Sequence, residues 1–478
     1  MRFATIARKN GINLSVASIF GQATLVDLAS KTRMLLSNDE PIQKQPPCWS
    51  LGIANPEILI RDVISPCIAM ENFSIVDVLR TTEFQRPFIS SKRCTYFLLN
   101  ISGRLDENRL KGACQALIEK HDILRTVFLP YGDSFVQVVI RQIDTPTPIL
   151  KTDQDPVIFS ESICRKDSET EVPFGTPIFQ STIVSQHKSR HVLIIRLSHA
   201  QYDGVSMPVL YQDIAAAYLK KTITPAVANF STYINCRLKD HSATGYRFWR
   251  EFLQGSSMTY LDGLSLGAAD ADKHPATETR ISREIQFPIP PPGITIATLF
   301  KGAWSFVLAS LTSQSDLVFG QVVNGRSIPM DGVEQVVGPC VNIVPVRDQH
   351  SRAVPFETLD LQDIVANCTP WPQTTRLGSI AQCQNIDLDL KLSIDGLKCT
   401  TTVAAFHTEV TEDFYIVASP MSDRLVIDIS VSSKMMSVKS AETIIEKVSE
   451  TISKFSSNPG DRLSLPENLT AREPYTKK

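Results

Sequence analysis

Arg196-Leu-Ser-His-Ala-Gln-Tyr-Asp-Gly-Val-Ser206 is the stretch on which the reading of this chain turns. Its centre is His199-x-x-x-Asp203-Gly204. Upstream, His191-Val-Leu-Ile-Ile-Arg-Leu197 is almost wholly apolar, the mark of a buried strand. Downstream, Val205 to Lys221 has helical periodicity, with Pro208 in the first turn where proline is tolerated. The histidine therefore falls on a loop between a strand and a helix, closed by a tight Asp-Gly turn. Loops held in this way often carry chemistry. An imidazole with an ordinary pKa of about 6.5 takes a proton near neutrality. Alone, H-x-x-x-D-G is a weak signal, because chance supplies it in about 3% of chains this long. A lone histidine after a strand is more often structural than catalytic, so the rest of the chain must support the reading.

The 478 residues suit two or three domains, or two lobes sharing an interface. Hydrophobic residues make up 43% and charged residues 21%, enough apolar surface for a large core. A net charge of −2 argues against a nucleic-acid or anionic-membrane partner. No apolar run approaches the roughly 18 residues of a membrane span. The first ten residues are charged and lack the apolar core of a signal peptide. The ten cysteines are scattered without a C-x-x-C pair, so neither a zinc ribbon nor a redox motif is expected. Reduced thiols and a cytoplasmic location follow. No cluster with metal-ligand spacing is visible, and no metal is expected.

Along the chain, strands and helices mix twice over. A strand is expected from Arg93 to Leu99, running on to Ser102. Asp106 should cap a helix whose apolar face is Leu110, Cys114, Leu117 and Ile118. The turn Pro130-Tyr-Gly-Asp133 before Phe135–Ile140 predicts a hairpin. A helix over 154–171 and strands over 177–185 and 190–197 lead into His199. Residues 230–253 read as one or two helices, and 262–275 as small, polar and mobile. Thr295 should cap a helix to Leu311, with Leu299, Phe300, Ala303, Phe306 and Val307 inward. The strand 316–323 ends in Asn324-Gly-Arg326, a turn that presents an arginine. Further strands are expected at 341–346, 412–418 and 424–431. In the last, Leu425, Ile427, Ile429 and Val431 share a face. Ser440 should cap the final helix, which bears Ile444, Ile445, Val448 and Ile452. The natural architecture is α/β, in two lobes.

Residues 1–33 cannot make a core alone. Their pattern, Ala7-Arg8-Lys9-x-Gly11-x-x-Leu14-x-Val16-x-x-Ile19-Phe20 and Thr24-Leu25-x-x-Leu28-Ala29, resembles the second half of a peptidyl carrier domain. The L-G-G-D-S motif whose serine bears phosphopantetheine in that family is absent. The resemblance implies a C-terminal carrier fragment over 1–33, cut from a multidomain synthetase. Residues 34–60, with Pro41, Pro46, Pro47 and Pro56, read as a linker.

From about Arg61 onward, further motifs accompany the histidine. They are Lys120-His-Asp-Ile-Leu-Arg-Thr-Val-Phe128, Tyr211-Gln-Asp-Ile-Ala-Ala-Ala-Tyr218, Asn324-Gly-Arg326 and Val337-Gly-Pro-Cys-Val-Asn-Ile-Val-Pro-Val-Arg347. In this order they resemble condensation domains of nonribosomal peptide synthetases. That family usually carries H-H-x-x-x-D-G, and here Ser198 replaces the first histidine. The departure resembles the terminal condensation-like domains of fungal synthetases, which release peptides by cyclisation. A fumiquinazoline-type synthetase is the nearest kind the motifs suggest.

The resemblance implies two chloramphenicol-acetyltransferase-like lobes in a V, over 61–225 and 226–478, with a substrate channel between them. It implies His199 as the catalytic histidine, either a general base or a positioning residue, and Asp203 with Gly204 as structural support. An arginine of the other lobe, Arg326, is expected to pair with Asp203. Ser198, Tyr202 and Asn342 are possible channel residues. Ser198 also reads as a loop hydrogen-bonder, Tyr202 as a packed aromatic and Asn342 as a strand cap. His121, Asp122 and Arg125 should make local pairs. The implied reaction is intramolecular amine attack on a carrier-bound peptidyl thioester, giving a cyclic peptide. Phosphopantetheine would come from an intact upstream carrier domain, with no cofactor bound in this chain. The alternative is an ordinary condensation domain joining two carrier-bound chains. An alcohol acyltransferase is disfavoured because the D-F-G-W-G motif of that family is absent. Intact His199 and Asp203 speak against an inactive recruitment domain.

Overall fold

The computed structural model describes residues 7, 12–13, 24–34, 45–187, 189–220, 226–239, 243–261, 278–328, 330–347, 353–384, 392, 394, 396–404 and 414–461. The chain forms two compact units, and its path passes between them more than once. One holds Met1–Ser242, Asn324–Asn342 and Asp387–His407. The other holds Ala243–Val323, Ile343–Ile386 and Thr408–Lys478. The expected boundary at 225/226 is therefore displaced, and the first unit recovers two later segments. Packing gives the reason. Phe230 and Tyr233, on the helix Phe230–Lys239, are buried in the core of the first unit. The backbone N–H groups of Phe230 and Ser231 donate to the buried Asp122 carboxylate, which caps that helix at long range.

The first unit is built on a five-stranded sheet. Its order is Lys398–Ala404, Thr95–Ser102, Arg190–Leu197, Gln180–Gln186, Ile149–Lys151. The two middle strands are apolar on both faces because both faces are covered. Phe97, Leu99, Leu193 and Ile195 enter the main core. Tyr96, Leu98, Val192 and Ile194 pack on the other side with Cys164 of the helix Pro156–Ser168. Asp106 caps the helix Glu107–Lys120 through the Arg109 N–H, as its sequence position predicts. That helix buries Leu110, Cys114, Leu117 and Ile118, each contributing about 1.5–3 kcal/mol if a leucine or isoleucine. The predicted hairpin pairs Thr126–Tyr131 with Ser134–Ile140, and Ile75–Arg80 completes a three-stranded sheet.

The second unit carries a six-stranded sheet. Leu425, Ile427, Ile429 and Val431 are fully buried, as their alternation predicts. They pack with the helices Ile296–Thr312 and Val438–Ser457. Thr295 caps the first of these as expected, whereas the second starts earlier than expected. Ser437 is its cap, and Ser440 supplies the N–H that Ser437 Oγ accepts. Phe306 is only half-buried, and Trp304 takes the deep position instead.

Near the N-terminus, Thr24 caps a helix over Leu25–Lys31, and Ile12–Asn13 pairs with Arg33–Met34. Residues 3–9, whose pattern is helical, and 14–20, a helix or turn by pattern, fall outside the described residues except for Ala7, as does the stretch 262–275. Among the described residues no helix is long and apolar enough to cross a membrane.

Candidate active site

The strand Arg190–Leu197 ends where the sequence predicts, and the helix Ser206–Tyr218 follows after eight intervening residues. The loop between them is held by its own side chains. Ser198 O accepts from Gln201 N at 2.8 Å, and Ser198 Oγ accepts from Ala200 N at 3.2 Å. The Gln201 side chain accepts from Ser198 N and donates to Ile123 O at 3.0 Å. Ser198 is 1% exposed, so its hydroxyl serves the turn, although the residue borders a cleft lined by Phe88, Phe128, Phe174 and Ile178.

His199 Nδ1 lies 2.9 Å from Tyr202 O. A carbonyl oxygen only accepts, so Nδ1 carries the hydrogen and the neutral ring keeps its lone pair on Nε2. Three aromatic rings fix the imidazole plane. Tyr202 stacks on it at 4.6 Å and 5°. Phe88 lies 4.7 Å away at 32°, and Phe84 meets it edge-on at 5.2 Å and 78°. Tyr202 is itself buried against Phe97, so it is a packed aromatic.

Asp203 does different work. Its Oδ1 accepts from Val205 N, Ser206 N, Ser206 Oγ and Arg326 Nη2 at 2.8–3.1 Å. Its Oδ2 accepts from Arg326 Nη1 at 2.6 Å and from Cys340 N at 3.0 Å. Both side chains are essentially sealed from water, with 0% of Arg326 and 1% of Asp203 exposed. The carboxylate is thus saturated by a bidentate guanidinium and main-chain donors, a structural role. Gly204 sits in the turn between Asp203 and the helix.

Arg326 is the expected partner, yet it does not come from the second unit. The segment Asn324–Asn342 belongs to the same compact unit as Asp203. Tyr233 Oη donates toward Gly325 O and Cys340 O at 3.1 and 2.8 Å, drawing the ends of that segment together. Gly325 has φ +65°, and a Cβ there would lie 1.8 Å from Cys340 O, so only glycine fits. Gly338, at φ +146°, leaves room for the Phe230 ring in the same way. Arg326 also donates to Val336 O and Gly338 O. Burial pushes the Cys340 thiol up to about 12. Asn342 is 2% exposed and opens the strand Asn342–Val346, two residues beyond the Cys340 N–H that Asp203 holds.

The local pairs expected around His121 are mostly long-range. His121 Nε2 and Lys120 Nζ meet Asp213 at 2.8 and 2.7 Å, which ties the helix Glu107–Lys120 to the one after the loop. Asp122 holds the helix at Phe230. Only Arg125 acts locally, on Ile118 O and Glu119 O. Sequence reasoning missed Phe84, Gln85 and Phe88. The i, i+4 spacing of the two phenylalanines was the available signal of a shared face. Among the described residues no three His, Cys, Asp or Glu side chains gather as a metal site would need.

Comparison with known proteins adds the following. The family model described as "Condensation domain" matches residues 91–474. The chain is 33% identical over 482 residues to "Nonribosomal peptide synthetase fmqA" of Aspergillus fumigatus, covering 97% of this chain and 12% of that protein. It is 35% identical over 484 residues to "Malformin synthetase mlfA" of Aspergillus homomorphus, covering 95% and 9%. This chain therefore spans about a tenth of the length of those relatives. The solved structure described as "The crystal structure of holo T3CT" superposes with a TM-score of 0.79 at 29% identity, covering 87% of this chain and 99% of that one.

Proposed function

The chain belongs to the condensation-domain family, and from that premise we propose that it releases a carrier-bound linear peptidyl thioester as a cyclic peptide. The observation that carries this reading is the Nδ1–H···O bond from His199 to Tyr202, which leaves the Nε2 lone pair as the proton acceptor. An amine of the peptide attacks its own thioester carbonyl, and a C–N bond forms as the C–S bond breaks. The amine proton passes to His199 Nε2 and then to the departing thiolate, so the ring returns to neutral. Such a base contributes about 10²–10⁴-fold. Holding the amine against the carbonyl contributes as much or more through effective molarity.

Ser198 in place of the family's first histidine supports the cyclising reading. So does the likeness to the T3CT structure, whose "CT" fits a terminal condensation-like domain. The thioester would arrive on the phosphopantetheine arm of an intact carrier domain.

The test is a synthetic peptidyl thioester loaded on an intact carrier and mixed with this chain, with products identified by mass. The expected product is one water lighter than the linear acid. Linear acid formed at the buffer rate would overturn the reading. So would an amide formed only after a second aminoacyl carrier is added.

A further inference from the structure

The His199 loop is braced from a second side, by the short helix Gln85–Ser90. Gln85 is fully buried. Its Nε2 donates to Ala200 O at 2.9 Å and to Gln137 Oε1 at 3.2 Å. Its Oε1 accepts from Thr82 N at 2.9 Å. Gln137, in the strand Ser134–Ile140, passes the brace on by donating to Arg80 O at 2.7 Å. The amide thus spans from the three-stranded sheet to the carbonyl next to the histidine, with the acceptors around it satisfied. A buried polar strut of this kind fixes geometry because any shift leaves a buried group unpaired. On either side of Gln85, Phe84 and Phe88 touch the His199 ring itself.

We infer that Gln85 is a positioning residue for His199, holding the Ala200 carbonyl so that His199 Nδ1 stays bonded to Tyr202 O and Nε2 keeps the lone pair. The inference rests on the proposed role of His199 as proton acceptor. Ala200 adjoins the histidine and lies two residues from Tyr202. Loss of its anchor lets the carbonyl of Tyr202 and the imidazole drift apart. The tautomer is set by the hydrogen bond that the other nitrogen makes, so the drift unlocks it.

The experiment uses the full chain labelled with ¹⁵N-histidine, the His199 signals being those lost in His199→Ala. Gln85→Met keeps the side-chain length and removes both hydrogen-bonding groups. Gln85→Glu keeps the acceptor for Thr82 N and removes the donor to Ala200 O. The control is Thr81→Val, which deletes a neighbouring part-buried bond to Phe135 O that does not reach the loop. Both Gln85 variants should shift His199 from the Nδ1–H form to a tautomer mixture. Each should lower kcat on the carrier-bound thioester by about 10²-fold, with KM changed less than about threefold. Thr81→Val should do neither. If the Nδ1–H form persists in whichever Gln85 variant folds, the inference is wrong. It is also wrong if the Gln85 variants lose no more kcat than Thr81→Val. The nitrogen spectrum is read without substrate, so failure of the wild-type chain to cyclise would sink the functional reading and leave this test standing.

Discussion

Arg326→Ala is the perturbation whose cost the structure defines most closely. Arg326 makes a bidentate pair with Asp203 at 2.6 and 3.0 Å, with neither side chain in contact with water. Removing one partner of such a pair strands a buried charge and costs about 3–5 kcal/mol. Asp203→Ala strands the guanidinium in turn and removes the side-chain acceptor shared by Ser206 N and Cys340 N. The double substitution leaves no stranded charge. Ser206 N and Cys340 N then keep only their main-chain acceptors, Asp203 O and Gly338 O. The two single costs should therefore not add, and the coupling energy should be about 2 kcal/mol or more. Urea unfolding of the four proteins gives the cycle, and hydrogen exchange at the Cys340 amide reports the local loss. A coupling energy near zero would refute the account of Asp203 as the anchor of the 324–342 segment. An unchanged Cys340 amide in Asp203→Ala would refute it independently.

Four further outcomes are expected. His199→Ala should lower cyclisation by at least about 10²-fold while thermal melting still shows a folded chain, and a variant keeping more than about a tenth of the rate would exclude the base role. Gly325→Ala should sharply lower Tm, because its Cβ would sit 1.8 Å from Cys340 O at φ +65°. Gly112→Ala, inside the helix Glu107–Lys120 with open space around it, should instead raise stability by up to about 1 kcal/mol. For Asp213, burial raises the carboxyl pKa, but His121 and Lys120 outweigh it and hold the group below its ordinary value. Its contribution is therefore full above the unfolded pKa of about 3.9 and is lost as pH falls through the lower folded value. Asp213→Asn should weaken the fold at pH 7 and flatten the acid limb of the stability curve, and an unchanged limb would show that the pair contributes nothing.

The histidine strand was legible to the residue because it is buried on both faces, which writes an unbroken apolar run into the sequence. The caps at Asp106 and Thr295 were legible because a capping side chain acts within three residues. The partnership of Asp203 with Arg326 was legible as chemistry but not as architecture. Nothing local in Asn324-Gly-Arg326 says that the chain has crossed back into the first unit. That return depends on Tyr233, Phe230 and Gly338 meeting across about a hundred positions of sequence. The edge strand Lys398–Ala404 was missed for a related reason. It alternates between half-buried and exposed, so its place beside Thr95–Ser102 leaves no strong apolar stripe. Gln85 was invisible because a buried glutamine looks like a surface one until its three partners are in place.

Under the proposed reaction, the distribution of bonds around the loop bears on which side chain would take the proton. Asp203 spends both oxygens on Arg326, Ser206 and main-chain donors, so protonating it would break the anchor of the loop. Cys340 is sealed in the core with its thiol pushed up to about 12, far from the thiolate that an acyl transfer through sulfur needs. Tyr233 donates its hydroxyl hydrogen to carbonyls at Gly325 and Cys340, and burial pushes its pKa well above the phenol range. The Ser198 hydroxyl accepts from the Ala200 N–H within its own turn. Asp203 and Ser198 are thus committed to the loop, and Tyr233 to the segment that carries Arg326. His199, half-exposed, has Nδ1 bonded to a carbonyl, which puts the lone pair of the neutral ring on Nε2. For the proposed cyclisation, this arrangement fits direct attack by the substrate amine on its own thioester better than transfer through an acylated side chain. In the proposed reaction the protein would contribute one well-oriented proton acceptor, and most of the rate would come from how the peptide is held.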